Sequence, residues 1–318
     1  MALIDILMLV GFALAAYAVV GNDSIQVLGT FIAANKQRPW WLLWIYISGL
    51  LVVIVTGGWF LNGGDPSFGL SNKYPDPTTV VTPFHILAPV VILVLTRLGL
   101  PISTSFLILA VFNPGTIATV LEKSLKGYFI AFIVAFLVYF FVKKAVDYLL
   151  ADKNEQVAPV WYVAQWLSTG VLWAAWLMQD IVNVFVFLPR DLSASWLVVS
   201  LTILVATQGL IFYQRGGIIQ KVVTSKSRVS DVRSATVVDM TYAVLMIGFK
   251  WLLMPNTPIS TTWLFLGLLA GREIAIALKV ENFSLTNARG LIFSDVLKAG
   301  TGLVISILFA FLALYLAS

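Results

Sequence analysis

Residues 40–56 read WWLLWIYISGLLVVIVT, a run of seventeen residues without a charged side chain. A helix of that length covers about 26 Å, close to the ~30 Å thickness of bilayer hydrocarbon. Three further runs, 127–142, 196–213 and 303–318, have the same uncharged, apolar character. Repeated runs of this kind predict an all-α, polytopic integral membrane protein.

The composition of the whole chain indicates the same class. Of 318 residues, 60% are hydrophobic and 11% are charged, whereas a soluble domain carries roughly 25% charged residues. Basic residues give a net charge of +5 and lie in short loops between the apolar runs, which favours membrane orientation over nucleic-acid binding. Residues 2–20 include Asp5 and have no signal-peptide cleavage pattern, so we expect a retained membrane helix.

The chain contains an internal duplication. The sequence PIST at 101–104 recurs at 258–261, and NDSIQ at 22–26 aligns with QDIVN at 179–183. Both matches have an offset of 157 residues (258 − 101 and 180 − 23), close to half the chain length. Two motifs in one order at one offset indicate two homologous halves. The predicted organisation is a first membrane repeat at 1–150, a polar linker at 151–157 and a second repeat at 158–318.

Each half offers about five apolar segments. They are predicted at 2–34, 40–60, 81–99, 101–120 and 127–149, then at 158–189, 195–213, 236–254, 258–279 and 291–317. Since five crossings is an odd number, the second half would insert with the opposite orientation, giving two inverted-topology repeats. The segments that begin at Pro101 and Pro258 have an alternative interpretation as re-entrant helical hairpins.

Loop charges predict the orientation. The loop 215–233 carries five basic residues against one acid, which places it in the cytoplasm. Counting crossings from there puts the more acidic loop 62–80 outside, together with both termini. We therefore expect a multi-pass protein of the cell's inner (plasma) membrane.

Acids and carboxamides occur at matching positions within apolar segments of both halves. An intramembrane acid is costly unless it is paired, hydrated or bound to a cation, although it can also serve as a structural hydrogen-bond anchor. Carboxylate and amide oxygens suit Na⁺ or a proton relay. Gly21, just before the first group, would let that helix open. The predicted cation-binding residues, with Na⁺ at the two acids, are Asn22, Asp23, Gln26, Gln179, Asp180 and Asn183.

Hydroxyl residues follow the proline of each PIST motif. Proline is favoured at the first position of a helix, so these hydroxyls would lie in a first helical turn, beside unpaired N–H groups and a partial positive charge. A buried helix start of this kind suits an anion, although the hydroxyls can also act merely as helix caps. The predicted anion-binding residues are Ser103, Thr104, Ser105, Ser260, Thr261 and Thr262.

The remaining polar residues indicate no catalysis. His85, the single histidine, is interpreted as an interfacial residue, with pH sensing as the alternative. Arg272 with Glu273 suggests an ion pair or a cytoplasmic helix end, with substrate binding by Arg272 as the alternative. Without cysteine, a nucleotide-type glycine-rich loop, a metal-ligand cluster or a nucleophile–base pair, we expect no enzyme activity and no cofactor beyond a coupling ion.

The motifs resemble those of the inorganic phosphate transporter (PiT) family of cation-coupled symporters. GND at 21–23, followed by GT at 29–30, is similar to the first acidic signature of that family. GLPISTS at 99–105 and PISTT at 258–262, followed by Gly267, are similar to its two hydroxyl segments. The order and spacing of these motifs extend over nearly the whole chain.

The resemblance implies Na⁺- or H⁺-driven symport of phosphate by alternating access, with the hydroxyl segments on the anion and the acids on the cation. The sequence departs from the family at QDIVN, which has no Gly-Ala-Asn before the acid, and at Phe106 and Trp263, where histidine is usual. Sulfate or bicarbonate therefore remain alternative substrates. A passive anion channel and a non-transporting membrane protein remain alternative functions. The expected partners are the lipid bilayer, the anion and a second copy in a homodimer.

Overall fold

The computed structural model describes residues 3–98, 100, 102–142, 159–217, 220, 231–253, 259–279 and 285–317. Within these ranges the chain forms helices and connecting turns, and no strand occurs. The long helices are α1 (Leu3–Ala34), α2 (Trp40–Leu61), α3 (Pro83–Arg97), α4 (Ile117–Leu137), α5 (Pro159–Asp180), α6 (Ala194–Tyr213), α7 (Val232–Gly248), α8 (Thr261–Lys279) and α9 (Leu285–Ala317). Short π-helical turns, Val138–Val142 and Phe249–Leu253, extend α4 and α7. The predicted linker 151–157 lies outside the described residues.

Seven of the described helical stretches are long and apolar enough to cross a membrane. They are Leu3–Asp23, Trp40–Leu61, Pro114–Phe141, Ala194–Tyr213, Val232–Leu253, Thr261–Leu278 and Ala288–Leu312. Large apolar side chains point outward from them, such as Phe60 (79% exposed) and Leu252 (81%), as lipid contact requires. These features confirm an all-α, multi-pass integral membrane protein.

The elements recur in the same order in both halves. Offset by 157 residues, α1, α2, α3 and the 105–112 segment correspond to α5, α6, α7 and α8, and in element order α4 corresponds to α9, which begins 168 residues after it (285 − 117). The packing is matched as well: α1 packs on α3 as α5 packs on α7, and α1 packs on α6 as α5 packs on α2. The last element of each half packs on the other half, because α4 packs on α8, and α9 packs on the 105–112 segment as well as on α8. The two halves are therefore interlocked.

The predicted segment 101–120 is divided in the structure. Residues 105–109 form a π-helix and 110–112 an α-helical turn, and the chain breaks at Asn113 before Pro114. Proline disfavours helix in the residue before it and starts a new helix readily. Consequently α4 begins at Ile117, ten residues before the predicted start at 127. Pro101 and Pro258 lie outside the described residues.

Together, α3 and the 105–112 segment form a hairpin. Its two ends meet, because the rings of His85 and Phe112 lie 4.7 Å apart. His85 also stabilises the start of α3, because its Nδ1 accepts a 3.3 Å hydrogen bond from the backbone N–H of Thr82, the residue that caps this helix. This capping box gives the histidine a structural role at the start of the helix.

The contact between α4 and α8 is unusually close because two glycines of α8 face the α4 backbone. A Cβ atom added at Gly267 would lie 2.2 Å from the carbonyl oxygen of Tyr128, and one at Gly271 would lie 2.1 Å from that of Phe132. The spacing is the small-xxx-small pattern that lets membrane helices approach each other. Any side chain at these positions would force the two helices apart.

Groups that loop charge assigns to the same side lie together. Arg215 donates a 2.9 Å hydrogen bond to the carbonyl of Arg38, both predicted inside. On the opposite side, Asn113 donates to the carbonyl of Lys73 at 3.2 Å, and Arg190 donates to the carbonyl of Pro75 at 2.5 Å. Residues that loop charge places on the same side of the membrane are therefore hydrogen-bonded to one another. Which face is cytoplasmic stays a prediction.

Candidate functional site

The first acidic group lies in the middle of α1, which is continuous through Gly21. The expected opening of the helix at that glycine is therefore wrong, since the backbone hydrogen bonds of the helix persist. Asn22 Nδ2 donates both to Asp23 Oδ1 and to the carbonyl of Ile102, each at 2.8 Å. The hydroxyl of Thr104 donates to the other carboxylate oxygen, Asp23 Oδ2. The acid motif and the hydroxyl motif of the first half are thus in direct contact.

The second half repeats this contact at the same offset. Thr261 Oγ1 donates to Asp180 Oδ2 at 2.5 Å, and both partners lie 157 residues after Thr104 and Asp23. Here the helix does break, because α5 ends at Asp180 and Ile181 separates it from a single turn, Val182–Phe185. The equivalence of the two acids, predicted from sequence alone, is matched by an equivalent hydrogen bond.

Further hydrogen bonds join the two halves at this point. Asn183 Nδ2, from the second half, donates to Thr104 Oγ1 at 3.0 Å and to Ser105 Oγ at 3.1 Å. Thr262 Oγ1 donates to the carbonyl of Ile102 at 3.1 Å. The two carboxylates are close enough to interact electrostatically. One buried site therefore contains both acids and hydroxyls from both PIST motifs.

Two of the predicted hydroxyls act as helix caps. Ser103 Oγ accepts from the N–H of Phe106 at 3.3 Å, and Ser260 Oγ accepts from the N–H of Trp263 at 3.4 Å. The capping alternative thus describes these serines, again at an offset of 157. Sequence reasoning missed Ser124, whose hydroxyl accepts from the backbone N–H of Ser260 at 3.0 Å.

All twelve predicted site residues are buried, at 7% exposure or less. Most lie in this cluster, but the Gln179 amide donates instead to the carbonyl of Met246 at 2.8 Å. Several buried polar atoms of the site have no hydrogen-bond partner among the described residues: Asn22 Oδ1, Gln26 Nε2 and Asn183 Oδ1. Two of these are oxygens, the kind of atom that binds a hard cation, and they lie beside the two carboxylates.

A third buried acid, Asp239 on α7, was missed by the sequence analysis. It accepts hydrogen bonds from Thr30, Thr169 and Gln165, which belong to α1 and α5. The signal was present, since Asp239 is an acid within the predicted apolar segment 236–254. It was overlooked because no equivalent acid occurs in the first half.

A cavity of about 150 Å³ lies between α1, α3 and α6 and reaches Gly21, beside the acidic group. Polar residues line it, including Thr96, Arg97 and Gln214. The last two belong to the face predicted to be cytoplasmic. The cavity therefore brings that face close to the site.

Arg272, considered above as a substrate ligand, is engaged in a buried ion pair. Its Nη1 lies 2.9 Å from Glu273 Oε1, and its guanidinium stacks over the Tyr139 ring at 5.5 Å. The ion-pair interpretation of this residue is confirmed.

Comparison of the chain with protein-family models, curated proteins and solved structures finds no match. The resemblance to the PiT family therefore rests on the sequence motifs alone.

Proposed function

We propose that the protein is a secondary active transporter that couples the movement of a small inorganic oxyanion, phosphate in the first instance, to Na⁺ or H⁺. The observation that carries the proposal is the duplicated acid–hydroxyl contact. Thr104 with Asp23 and Thr261 with Asp180 form one buried, two-part site from two halves. A duplicated polar site within the membrane, at the interface of two repeats, is typical of secondary transporters.

The anion would bind among the hydroxyls of the two PIST motifs. Thr104, Ser105, Thr261 and Thr262 are neutral donors, and each hydroxyl hydrogen can rotate towards an anion oxygen. The amide N–H of Gln26, which has no partner among the described residues, adds another donor. The start of α8 at Thr261 contributes a partial positive charge. Neutral donors of this kind suit an anion that must also be released.

The coupling cation would bind at the carboxylates. Two buried acids and an incoming anion repel one another unless positive charge accompanies them. Unpartnered oxygens on Asn22 and Asn183 are available as ligands beside the carboxylates. We therefore propose that cation binding precedes or accompanies anion binding.

We further propose that the two halves have inverted orientations and exchange conformations during alternating access. The hairpin of α3 and the 105–112 segment would then enter and leave the membrane on one face, since its ends meet at His85 and Phe112. The cavity beside Gly21 would be the approach from the cytoplasmic face. In this arrangement both termini lie outside the plasma membrane, and a homodimer is a suitable assembly.

Uptake of radiolabelled phosphate into proteoliposomes tests the proposal. We expect accumulation that requires an inward Na⁺ or proton gradient, with unlabelled sulfate and bicarbonate as competitors to rank the substrates. Phosphate entry that only equilibrates, whatever the gradient, would identify a passive channel instead. Protein that is folded but moves none of the three anions would contradict anion transport.

A further inference from the structure

Asp239 occupies a second buried polar cluster. Its carboxyl is 1% exposed and is held by three neutral side chains. Thr30 Oγ1 donates to Oδ1 at 2.5 Å, while Thr169 Oγ1 at 2.5 Å and Gln165 Nε2 at 3.3 Å donate to Oδ2. The cluster joins α1, α5 and α7, and the groups that bind the carboxyl carry no positive charge.

The rest of the cluster is closed by its own hydrogen bonds. Gln165 Oε1 accepts from Asn35 Nδ2 at 3.0 Å, and Asn35 Oδ1 accepts from the indole N–H of Trp166 at 3.1 Å. The hydroxyls are at direct hydrogen-bond distance from the carboxyl oxygens, which leaves no space for a metal ion between them. The Asp239 carboxyl can still gain or lose a proton.

Both protonation states can be accommodated. An ionised carboxyl accepts the hydroxyl hydrogens of Thr30 and Thr169, as the geometry shows. When the carboxyl is protonated it becomes a donor, and a threonine hydroxyl can rotate to accept. A lone acid in the membrane without a cationic partner is costly when charged, so protonation is an accessible alternative.

Other titratable groups lie on the elements around α7. Tyr139, in the π-helical extension of α4, is within electrostatic range of Asp239. The Arg272–Glu273 pair of α8 lies next to Tyr139. On α1, Asp23 precedes Thr30 by seven residues, about 10 Å along the helix and on the same face. Asp180 ends α5, and Lys250, further along the α7 extension, donates to the carbonyl of Met178 at 2.9 Å.

The cluster occurs once, although the halves are duplicated. Thr30, Gln165, Thr169 and Asp239 correspond, at the offset of 157, to Phe187, Met8, Phe12 and Thr82. Met8, Phe12 and Phe187 are buried apolar residues, and a Cβ on Gly11 would lie 2.4 Å from the Phe187 ring. The equivalent helix junction therefore packs without any acid, so joining these helices does not require one.

We propose that Asp239 is a proton-binding site whose protonation is part of the transport cycle. It lies on the side of the acid pair towards the end of α1 that loop charge places in the cytoplasm. The role in the cycle rests on the proposed function, whereas the binding of a proton by Asp239 does not.

Infrared difference spectroscopy of the purified protein in lipid, recorded during a pH titration, tests the site without transport. We expect a reversible carbonyl band from a protonated carboxyl that is lost in Asp239→Asn and kept in Asp191→Asn, an exposed surface control. Spectra that are identical in Asp239→Asn and the parent protein at each pH would overturn the proposal. Thr169→Val keeps the acid and serves as a second variant in case Asp239→Asn does not fold. Because the Asp239 carboxylate loses one hydrogen-bond donor, its proton affinity should rise about tenfold. An unmoved band midpoint in this variant would also count against the site.

Proteoliposome uptake then tests the role in the cycle. We expect an inward proton gradient to increase phosphate accumulation at least several-fold in the parent protein, and to have no effect in Asp239→Asn. A gradient response that is equal in the two proteins would overturn the proposed role. If the parent protein transports no anion at all, the proposed function fails, and the infrared titration alone decides whether Asp239 binds a proton.

Discussion

Thr104 and Thr261 donate to their respective acids across the same separation of 81 residues. In each pair, the threonine supplies a hydrogen bond to a buried carboxylate that has few other donors. The two contacts are chemically equivalent, so each threonine should contribute similarly to stability and to transport.

Replacing either threonine by valine keeps the shape of the side chain and removes the donor. We expect Thr104→Val and Thr261→Val each to destabilise the protein by about 1–3 kcal/mol, because a buried carboxylate loses a hydrogen bond. Thermal unfolding in detergent measures this effect. Thr104→Ser and Thr261→Ser keep the hydroxyl and serve as controls. Valine variants as stable as the serine variants would show that the contacts contribute nothing.

The acids themselves should matter for coupling more than for folding. We expect Asp23→Asn and Asp180→Asn to abolish gradient-driven uptake, because an amide cannot compensate the charge of a cation. Both should still insert and fold, since asparagine can accept the threonine hydrogen bond. Asp191→Asn, at an exposed loop position, is the matched control. Normal driven uptake in both intramembrane variants would remove the acids from the cation site.

Sequence reasoning found the buried acids that have a counterpart in the other half, and it missed the buried acid that has none. Asp23 and Asp180 drew attention because they share an offset, while Asp239 is as deeply buried but has no counterpart. The direction of the Gln179 amide, towards Met246, depends on how α5 packs against α7 and so has no signature in the local sequence.

At the scale of the helix, the two halves differ most around their acids. The sequence suggested an opening at Gly21, yet α1 continues through it while the second half breaks at Ile181. A glycine permits a break without requiring one. The start of α2 at Trp40 agrees with the segment predicted from the apolar run. The break at Asn113–Pro114 was obscured by the apolar residues on both sides.

The close contact of α4 and α8 gives a sharp prediction. Gly271→Ala places a methyl group about where the Phe132 carbonyl now lies, so the helices must separate. We expect a loss of stability of about 1–3 kcal/mol, measured as a lower midpoint of thermal unfolding. Gly49→Ala in α2 is the control, because an added Cβ there meets nothing within 4 Å. Equal midpoints for the two variants would contradict the packing argument.

At the scale of the whole molecule, the open question is the relative orientation of the halves. The chain has no cysteine, so single cysteines can be introduced without further changes. We expect Asp191→Cys and Glu122→Cys to react with a membrane-impermeant thiol reagent in intact cells, and Lys36→Cys and Arg97→Cys to react only after permeabilisation. All four side chains are exposed. Lys36 and Asp191 follow the first helix of each half, so labelling of both from the same side would rule out inversion.

The class of the protein could be predicted from its apolar runs, because the bilayer fixes the length and polarity of a crossing helix. The order of elements in each half could be predicted from the two motifs and their offset. The exchange of α4 and α9 between the halves could not, since it depends on long-range packing with no local pattern in the sequence.

That exchange has a consequence for biogenesis. The face of α4 that receives the glycines of α8 is complete only when residues 261–279 have been synthesised. More than a hundred residues separate the two helices, which takes on the order of ten seconds of translation. During that interval α4 lies in the membrane without α8. A ribosome that stalls after the first half would therefore leave α4 in the membrane without its packing partner, as a substrate for membrane quality-control proteases.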